Sequence, residues 1–381
     1  VALDQLGNSP KYFTLLKEDS VARLGTFHTV HGTFNTPAFM PVGTQGTVKG
    51  VLPRDLRELG AEIVLSNTYH LHLRPGEQLI AKLGGLHQFM QWSGPILTDS
   101  GGYQVFSLSH LRELTEEGVH FRSHVDGAPL FFTPEKVIQI QETLGVDIMM
   151  VLDECLKYPS EKAETAKSLE LTLKWAKRSK LARTRAESRA FGIVQGGMFE
   201  DLRRESAERL VEIGFDGYAI GGLSVGEPSE LLYSVTDLTT KFLPSDHIRY
   251  LMGVGYPNDI VQAVSSGVDL FDCVIPTRSA RFGRIFYEQG HINIRNAQFR
   301  DDPKPLEEGC QCYTCCNFSR AYLSHLIHSK EVLAVVLASI HNLYFYQHLM
   351  RRIRSAISAG TFSEFAHNFL KNWSGAVDET N

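Results

Sequence analysis

Short apolar runs recur at 38–42, 63–66, 96–99, 148–153, 191–195, 218–222, 250–254 and 270–274, each ending near a polar or turn-forming residue. Runs of this length, bounded in this way, read as buried strands. Between them the period lengthens. Thr133-Pro134 supplies an N-cap and a proline at the first helical position, leading into Val137, Ile138, Ile140 and Leu144. Leu202, Ser206, Leu210 and Ile213 share one helical face, with Gly214 as a stop. Ile260 and Val264 repeat the theme before Gly267. Eight strands alternating with helices over about 240 residues have the size and order of a (β/α)8 TIM barrel, an α/β fold. The competing arrangement is an open doubly wound sheet, which the count of eight disfavours.

Four stretches fall outside this rhythm. Residues 12–35 alternate in short segments broken by Gly25 and His31-Gly32, which predicts a small N-terminal antiparallel cap. After the third strand, 119–132 holds Val125-Asp126-Gly127-Ala128, a hairpin signal, and reads as a β insertion over one barrel mouth. The Lys/Arg/Glu-rich stretch 160–187 is expected to form a solvated helical pair. Helix-forming sequence runs from Phe318 towards the tail, where 373–381 is expected to fray.

Composition narrows the function classes only a little. Of 381 residues, 43% are hydrophobic and 21% charged, with a formal charge of −5. That is a globule with a proper core, and any nucleic-acid contact must come from a local basic patch. No apolar run reaches the length of a membrane span, and the first residues show no basic stretch ahead of an apolar one. A cytoplasmic protein with no membrane partner is expected.

Cysteine placement adds chemistry. Cys155 and Cys273 stand singly in strand-like runs, whereas Cys310, Cys312, Cys315 and Cys316 crowd into seven positions. This is a metal-ligand distribution rather than a disulfide framework. Cys310, Cys312 and Cys315 offer three thiolates, and the fourth ligand is Cys316 or one of His325, His328, His341 and His348. Vicinal cysteines rarely bind one ion together, which favours His341 and a closed, structural Cys3His zinc site. The expected division is an N-terminal cap at 1–36, a catalytic barrel at 37–298, and a zinc-binding subdomain with C-terminal helices at 299–381.

In a barrel of this type the chemistry lies at the C-terminal strand ends. Read in order, those ends carry Asn67 and His70, then Asp99-Ser100-Gly101-Gly102-Tyr103-Gln104, then Asp153, Glu154 and Cys155. Gln195-Gly196-Gly197, Gly221 to Glu227, Met252 to Gly255 and Asp272 complete the ring. The last strand is an apolar run with a carboxylate inside it, closed by Pro276 and followed by an Arg-rich turn that suits phosphate. An ordinary ion pair between Asp272 and Arg278 is the bland alternative. Two carboxylates about a sugar carbon are what glycosyl transfer needs. Asp153 can accept from the two adjacent donors of a guanine edge, while Gln195 and the Gly222 N–H can donate to O6. Tyr103 and Met252 can sandwich a flat ring, although such residues more often simply pack.

These motifs resemble the tRNA-guanine transglycosylase (queuine tRNA-ribosyltransferase) family of the bacterial type, over about residues 12–372. The resemblance rests on TPAFMPVGT (36–44), LSNTYHLHLRPG (65–76), ILTDSGGYQ (96–104), DEC (153–155), GGLSVGE (221–227), YLMGVG (250–255), FDCVIPTRSAR (271–281) and the Cys/His set. It implies exchange of the wobble guanine of tRNA for a 7-deazaguanine by a ping-pong route, usually in a homodimer. Asp272 then corresponds to the nucleophile at C1′ and Asp99 to the acid/base group. Ser100, Gly101, Gly102, Tyr103, Asp153, Gln195, Gly222, Leu223 and Met252 correspond to the base site. Gly253, Val254, Gly255, Tyr256, Pro257, Asn258 and Asp259, with Thr277, Arg278, Ser279, Ala280 and Arg281, correspond to tRNA contacts. Cys310, Cys312, Cys315 and His341 correspond to the ligands of one Zn2+ per subunit. Cys155 and Val225 are the bulky choices that favour the aminomethyl base preQ1 over queuine. Tyr256, Ala280 and Phe282 depart from the family pattern at positions of tRNA docking. A catalytically silent partner subunit would lack the acid pair, and a glycoside hydrolase would need neither the metal module nor the arginines after strand eight.

Overall fold

The computed structural model describes residues 12–104 and 112–373. Strands β1 (Phe13–Asp19), β2 (Ala22–Thr29) and β3 (Gly32–Thr36) form the antiparallel cap. Then come the barrel strands β4 (Ala38–Met40), β5 (Val64–Asn67) and β6 (Ile96–Asp99). The three-stranded insertion follows as β7 (Arg112–Leu114), β8 (Val119–Arg122) and β9 (Pro129–Phe132). The barrel resumes with β10 (Ile148–Met150), β11 (Arg189–Val194), β12 (Gly217–Ile220), β13 (Ile248–Leu251) and β14 (Leu270–Asp272). Neighbours pair in parallel, and β14 returns to pair with β4. A parallel bridge from Val42 to Leu65 joins the first strand to the second, so the ring is a barrel rather than an open sheet.

The helix stops and starts follow the local chemistry foreseen for them. The Thr133 hydroxyl accepts from the Lys136 N–H at 3.1 Å, and Gly145 ends the helix Pro134–Leu144 in the left-handed region. The cap sits at the N-terminal end of the strands, away from the acids. Arg23 donates there to the carbonyls of Ser245 and His247, and Asp147 accepts from His31 and His87.

Four expectations are corrected. Residues 160–187 hold one helix, Lys162–Ala182, whose Leu169, Leu173, Trp175 and Ala176 are buried along with Thr165, Ser168, Thr172 and Ser179. Small hydroxyl side chains satisfy themselves locally, as Thr165 does on the Glu161 carbonyl, so a buried face reads as polar. Pro276 does not close a strand: it lies in the first turn of a helix, Ile275–Arg281, so the expected Arg-rich turn is helical. Trp373 stacks on Phe369 at 5.4 Å instead of fraying, while 374–381 lie outside the described residues.

The fourth correction concerns apolar length. The helix Val332–Ala359 is long and apolar enough to cross a membrane by length and composition alone, with 67% of its most apolar window buried inside this fold. It stands against the barrel beside the helix Ile275–Arg281. Gln347 donates to the Phe39 carbonyl at 3.0 Å, and Asn342 to that of Pro276 at 2.9 Å. A hairpin absent from the sequence reading, β15 (Arg284–Tyr287) with β16 (Gly290–Asn293), links helix Ile275–Arg281 to the cysteine-rich segment.

Candidate active site

The C-terminal strand ends surround a cavity of about 360 Å³. Asp99, Asp153 and Asp272 line it together with Ser100–Gln104, Cys155, Gln195, Gly221–Val225, Tyr250, Met252, Gly253 and Arg278. Carboxylates from three different strands thus face one space of the size usual for small-molecule sites.

Asp272 ends β14. Its Oδ1 accepts from the Tyr250 hydroxyl at 2.6 Å and from the Gly253 N–H at 2.8 Å. Both bonds land on one oxygen, which leaves Oδ2 to the cavity, and among the described residues no ion pair joins Arg278 to the carboxylate. Burial pushes the carboxyl up from its usual range, and the two donors pull it back towards the ionised form.

Asp99 is held otherwise. Its Oδ1 accepts from the Thr68 N–H at 3.1 Å and its Oδ2 from the Asn67 amide. Asn67 is itself fixed, because its Oδ1 caps the helix Thr68–Leu73 by accepting the His70 N–H at 2.9 Å. His70 therefore serves through its backbone. Burial raises Asp99 to about 7, helped by the charge on Asp272. The two acids sense one another and carry different hydrogen bonds, as a divided acid/base pair requires.

The third acid faces an amide. Asp153 accepts from Gln195 Nε2 at 2.7 Å, and burial lifts it to about 6. The loop after β6 reaches it only because of its glycines. A Cβ on Gly101, at φ +77°, would stand 2.7 Å from the Tyr69 Cβ, and one on Gly102 3.0 Å from the Asp153 carbonyl. The Ser100 hydroxyl accepts the Gly102 N–H at 3.2 Å and keeps that loop turned inward. Cys155 sits in the wall with its thiol pushed up to about 12 by burial, so it fills space rather than reacts. Leu223 is buried, Met252 is half-buried, and Tyr103 stands exposed at the rim.

Comparison with known proteins decides the family. The family described as queuine tRNA-ribosyltransferase matches residues 18–375. A queuine tRNA-ribosyltransferase of Thermoanaerobacter pseudethanolicus is 57% identical over 364 residues, covering 95% of this chain and 97% of the relative. That of Caldanaerobacter subterraneus subsp. tengcongensis is 56% identical over 370 residues, covering 96% and 99%. That of a Psychrobacter species is 57% identical over 370 residues, covering 94% and 96%. The chain belongs to the queuine tRNA-ribosyltransferase family.

The segments expected to meet RNA divide in two. In 253–259, Val254, Gly255 and Pro257 are buried, and Asn258 and the Tyr233 hydroxyl both donate to Asp259. Only Gly253 and Tyr256 are exposed there. On the helix Ile275–Arg281, Thr277 and Ala280 point inward and Ser279 is half-buried. Val274, Arg278, Arg281 and Phe282 form the outer face, with Arg278 at the cavity edge.

The cysteine cluster expected to bind metal is well formed. Cys310, Cys312, Cys315 and His341 bring four ligand atoms within 4.8 Å of one another. The three sulfurs lie 3.8, 3.5 and 3.3 Å from His341 Nδ1. A tetrahedral ion with usual Zn–S and Zn–N bonds needs about 3.6 Å between sulfur and nitrogen. His341 Nε2 donates to the Phe286 carbonyl at 2.7 Å, which turns the Nδ1 lone pair towards the sulfurs. Cys316 is exposed, as are His325 and His328, while His348 stacks on Tyr344.

The sequence reading gave no role to two residues of this region. Tyr250 donates to the Asp272 carboxylate, and Arg203 lies fully buried behind Gly221. A hydroxyl at the inward end of an apolar strand was the available signal for the first. For the second it was an arginine next to Leu202 on a buried helix face.

Proposed function

We propose that this chain is a tRNA-guanine transglycosylase that replaces a wobble guanine of tRNA by a 7-deazaguanine through a covalent Asp272–ribosyl intermediate. The observation that carries this reading is the Asp272 carboxylate, pinned through one oxygen by Tyr250 and Gly253, with the other open to a cavity shared with Asp99 and Asp153. In the first step Oδ2 attacks C1′ as the C1′–N9 bond breaks. The bonding pair leaves on the purine, which takes up the proton of neutral Asp99, and an ester to the ribose remains beside the now ionised Asp99. In the second step the incoming base gives its N9 proton to Asp99. Its nitrogen then attacks C1′ and returns the Asp272 carboxylate.

Flipping the nucleotide out of its stack brings the base into the cavity. There Asp153 accepts from N1–H and the 2-amino group, while a Gln195 N–H and the Gly222 N–H donate to O6. Ser100, Gly101 and Gly102 close the edge, Leu223 lines it, and Tyr103 and Met252 cover the two faces. Arg278 and Arg281 meet phosphates on either side. Cys310, Cys312, Cys315 and His341 hold one structural Zn2+, whose closed donor set leaves no position for substrate. The chain acts as a homodimer in the cytoplasm, one subunit orienting tRNA for the other. Exchange of labelled guanine into tRNA tests the reaction, and a protein that catalyses none would overturn the reading.

Two expected results follow from the site. Val225 crowds the space beyond position 7, which fits the aminomethyl group of preQ1 and opposes the cyclopentenediol of queuine. Val225→Gly should improve queuine exchange by about tenfold while leaving preQ1 within a few-fold, since pocket methyl groups carry about 1–3 kcal/mol. Equal turnover of both bases by the unaltered enzyme would sink the argument.

The other concerns pH. Asp99 must be ionised to accept the N9 proton, and it is protonated below about 7. Forming the ester removes the Asp272 charge that helps hold Asp99 up, so in the covalent complex Asp99 titrates lower than in the free enzyme; capture of preQ1 should speed up about tenfold per pH unit beneath that lowered pKa and level off above it. Asp99→Asn should be slow and flat with pH; a profile unchanged by the substitution would assign the proton elsewhere.

A further inference from the structure

Arg203 belongs to the helix Glu200–Ile213 and has 0% of its surface exposed. A guanidinium buried so completely normally has a carboxylate partner. This one makes no ion pair among the described residues and bonds only backbone carbonyls. Its Nε donates to Gly197 at 2.7 Å, and its Nη1 to Gly221 at 2.7 Å and Val194 at 3.2 Å. Its Nη2 is buried without a hydrogen bond, 3.5 Å from where a Cβ on Gly222 would stand. Burial lowers its pKa to about 10, still cationic at neutral pH. A positive charge is thus kept dry, partly unsatisfied, directly behind the base cavity.

Its carbonyl partners are the clue. Val194 precedes Gln195, and Gly221 precedes Gly222, so the guanidinium clamps the ends of β11 and β12 next to the two residues that face the base. In a trans peptide the C=O and N–H point in opposite directions. Holding the Gly221 carbonyl from behind aims the Gly222 N–H forwards, where it approaches the Cys155 thiol in the cavity wall. A cation on the carbonyl also polarises the peptide and makes that N–H a stronger donor.

We propose that Arg203 is a positioning residue that acts through the Gly221–Gly222 peptide, aiming and strengthening the Gly222 N–H for the negative charge that O6 acquires as the purine departs. The inference rests on the transglycosylase reading above and deepens it. When C1′–N9 breaks, the bonding pair spreads from N9 through the ring to O6. A donor already in place there stabilises the departing base without reorganisation.

The test is made on the whole enzyme with labelled guanine, first confirming that the unaltered protein exchanges it. Failure at that first step would remove the transglycosylase reading itself. Arg203→Met should lower kcat/KM for guanine exchange about 100-fold, the loss usual for one such donor. Arg203→Lys, which keeps the charge but reaches fewer carbonyls, should recover part of it. The affinity of each variant for an anticodon stem-loop without base should stay within twofold, because Arg203 has no surface exposed. Guanine and 6-thioguanine are then compared as competitors. They share the edge that faces Asp153, but sulfur at position 6 is a weak acceptor, so the preference for guanine should shrink towards unity in Arg203→Met. Equal loss of both bases with the preference intact would reduce Arg203 to a strut, and an unchanged kcat/KM would overturn the proposal. If Arg203→Met does not fold, Arg203→Lys carries the same comparison.

Discussion

Asp272→Asn will form no denaturation-resistant adduct when incubated with an anticodon stem-loop and 9-deazaguanine, whereas the unaltered enzyme will be retarded as a protein–RNA complex on a denaturing gel. The amide keeps the shape of the carboxylate and the Tyr250 and Gly253 hydrogen bonds can still land on its oxygen, so folding should be preserved. What disappears is the second oxygen, the one directed at the cavity. An amide nitrogen is no nucleophile towards C1′, and guanine exchange should fall by on the order of 10⁴ or more, as for loss of other enzymatic nucleophiles. Asp99 cannot substitute: its oxygens are tied to Thr68 and Asn67 and its carboxyl is partly protonated near neutrality. Asp99→Asn should accordingly still accumulate some adduct, because attack on C1′ does not need it. An adduct formed by Asp272→Asn at the unaltered rate would move the nucleophile to another residue.

Why those acids were legible in the sequence, and other features not, has a physical basis. Parallel barrel strands are covered on both faces, so they leave unbroken apolar runs, and all eight could be placed from Ala38 to Asp272. Once the strands are placed, the rule that chemistry gathers at their C-terminal ends puts Asp99, Asp153, Gln195 and Asp272 on one mouth. Features set by tertiary pairing were harder to see. The helix Lys162–Ala182 hides a buried face behind small hydroxyl residues, of which Thr165 bonds its own backbone and Thr172 accepts the Glu154 N–H. Pro276 looked like the end of a strand because proline both ends strands and begins helices, and only the course of the chain tells which. The 253–259 loop reads as an RNA contact along its length, yet Val254, Gly255 and Pro257 turn inward and the Gly255 carbonyl accepts from the Tyr346 hydroxyl. Arg203 leaves only its place beside Leu202 on a buried helix face as a hint, because its partners are carbonyls, which carry no residue identity.

Tyr346 lies on the helix that also carries His341, and this joins the Cys310, Cys312, Cys315 and His341 cluster to the active site. The purified protein should contain one zinc per chain, and Cys312→Ser or exhaustive chelation should remove it. The four ligands come from two segments far apart in sequence, the cysteine turn and the helix Val332–Ala359. Binding free energy is therefore folding free energy for that subdomain, about 10–16 kcal/mol in isolated zinc modules. Here other contacts share the task, since Thr314 also donates to the Leu337 carbonyl at 2.7 Å and Asn342 to those of Pro276 and Arg284. A loss of about 5 kcal/mol is a reasonable share. At about 2 °C per kcal/mol for a chain of this length, melting should fall by about 10 °C. Activity should fall with it even at temperatures where the barrel stays folded. Asn342, next to His341, holds the helix Ile275–Arg281 that follows Asp272 and displays Arg278, so emptying the cluster should loosen the helix proposed above to meet RNA. A stem-loop Kd that weakens with zinc loss while the guanine KM stays constant would fit this route. A protein that keeps its melting temperature and full exchange after the metal is stripped would show that the Cys310, Cys312, Cys315 and His341 cluster holds nothing together.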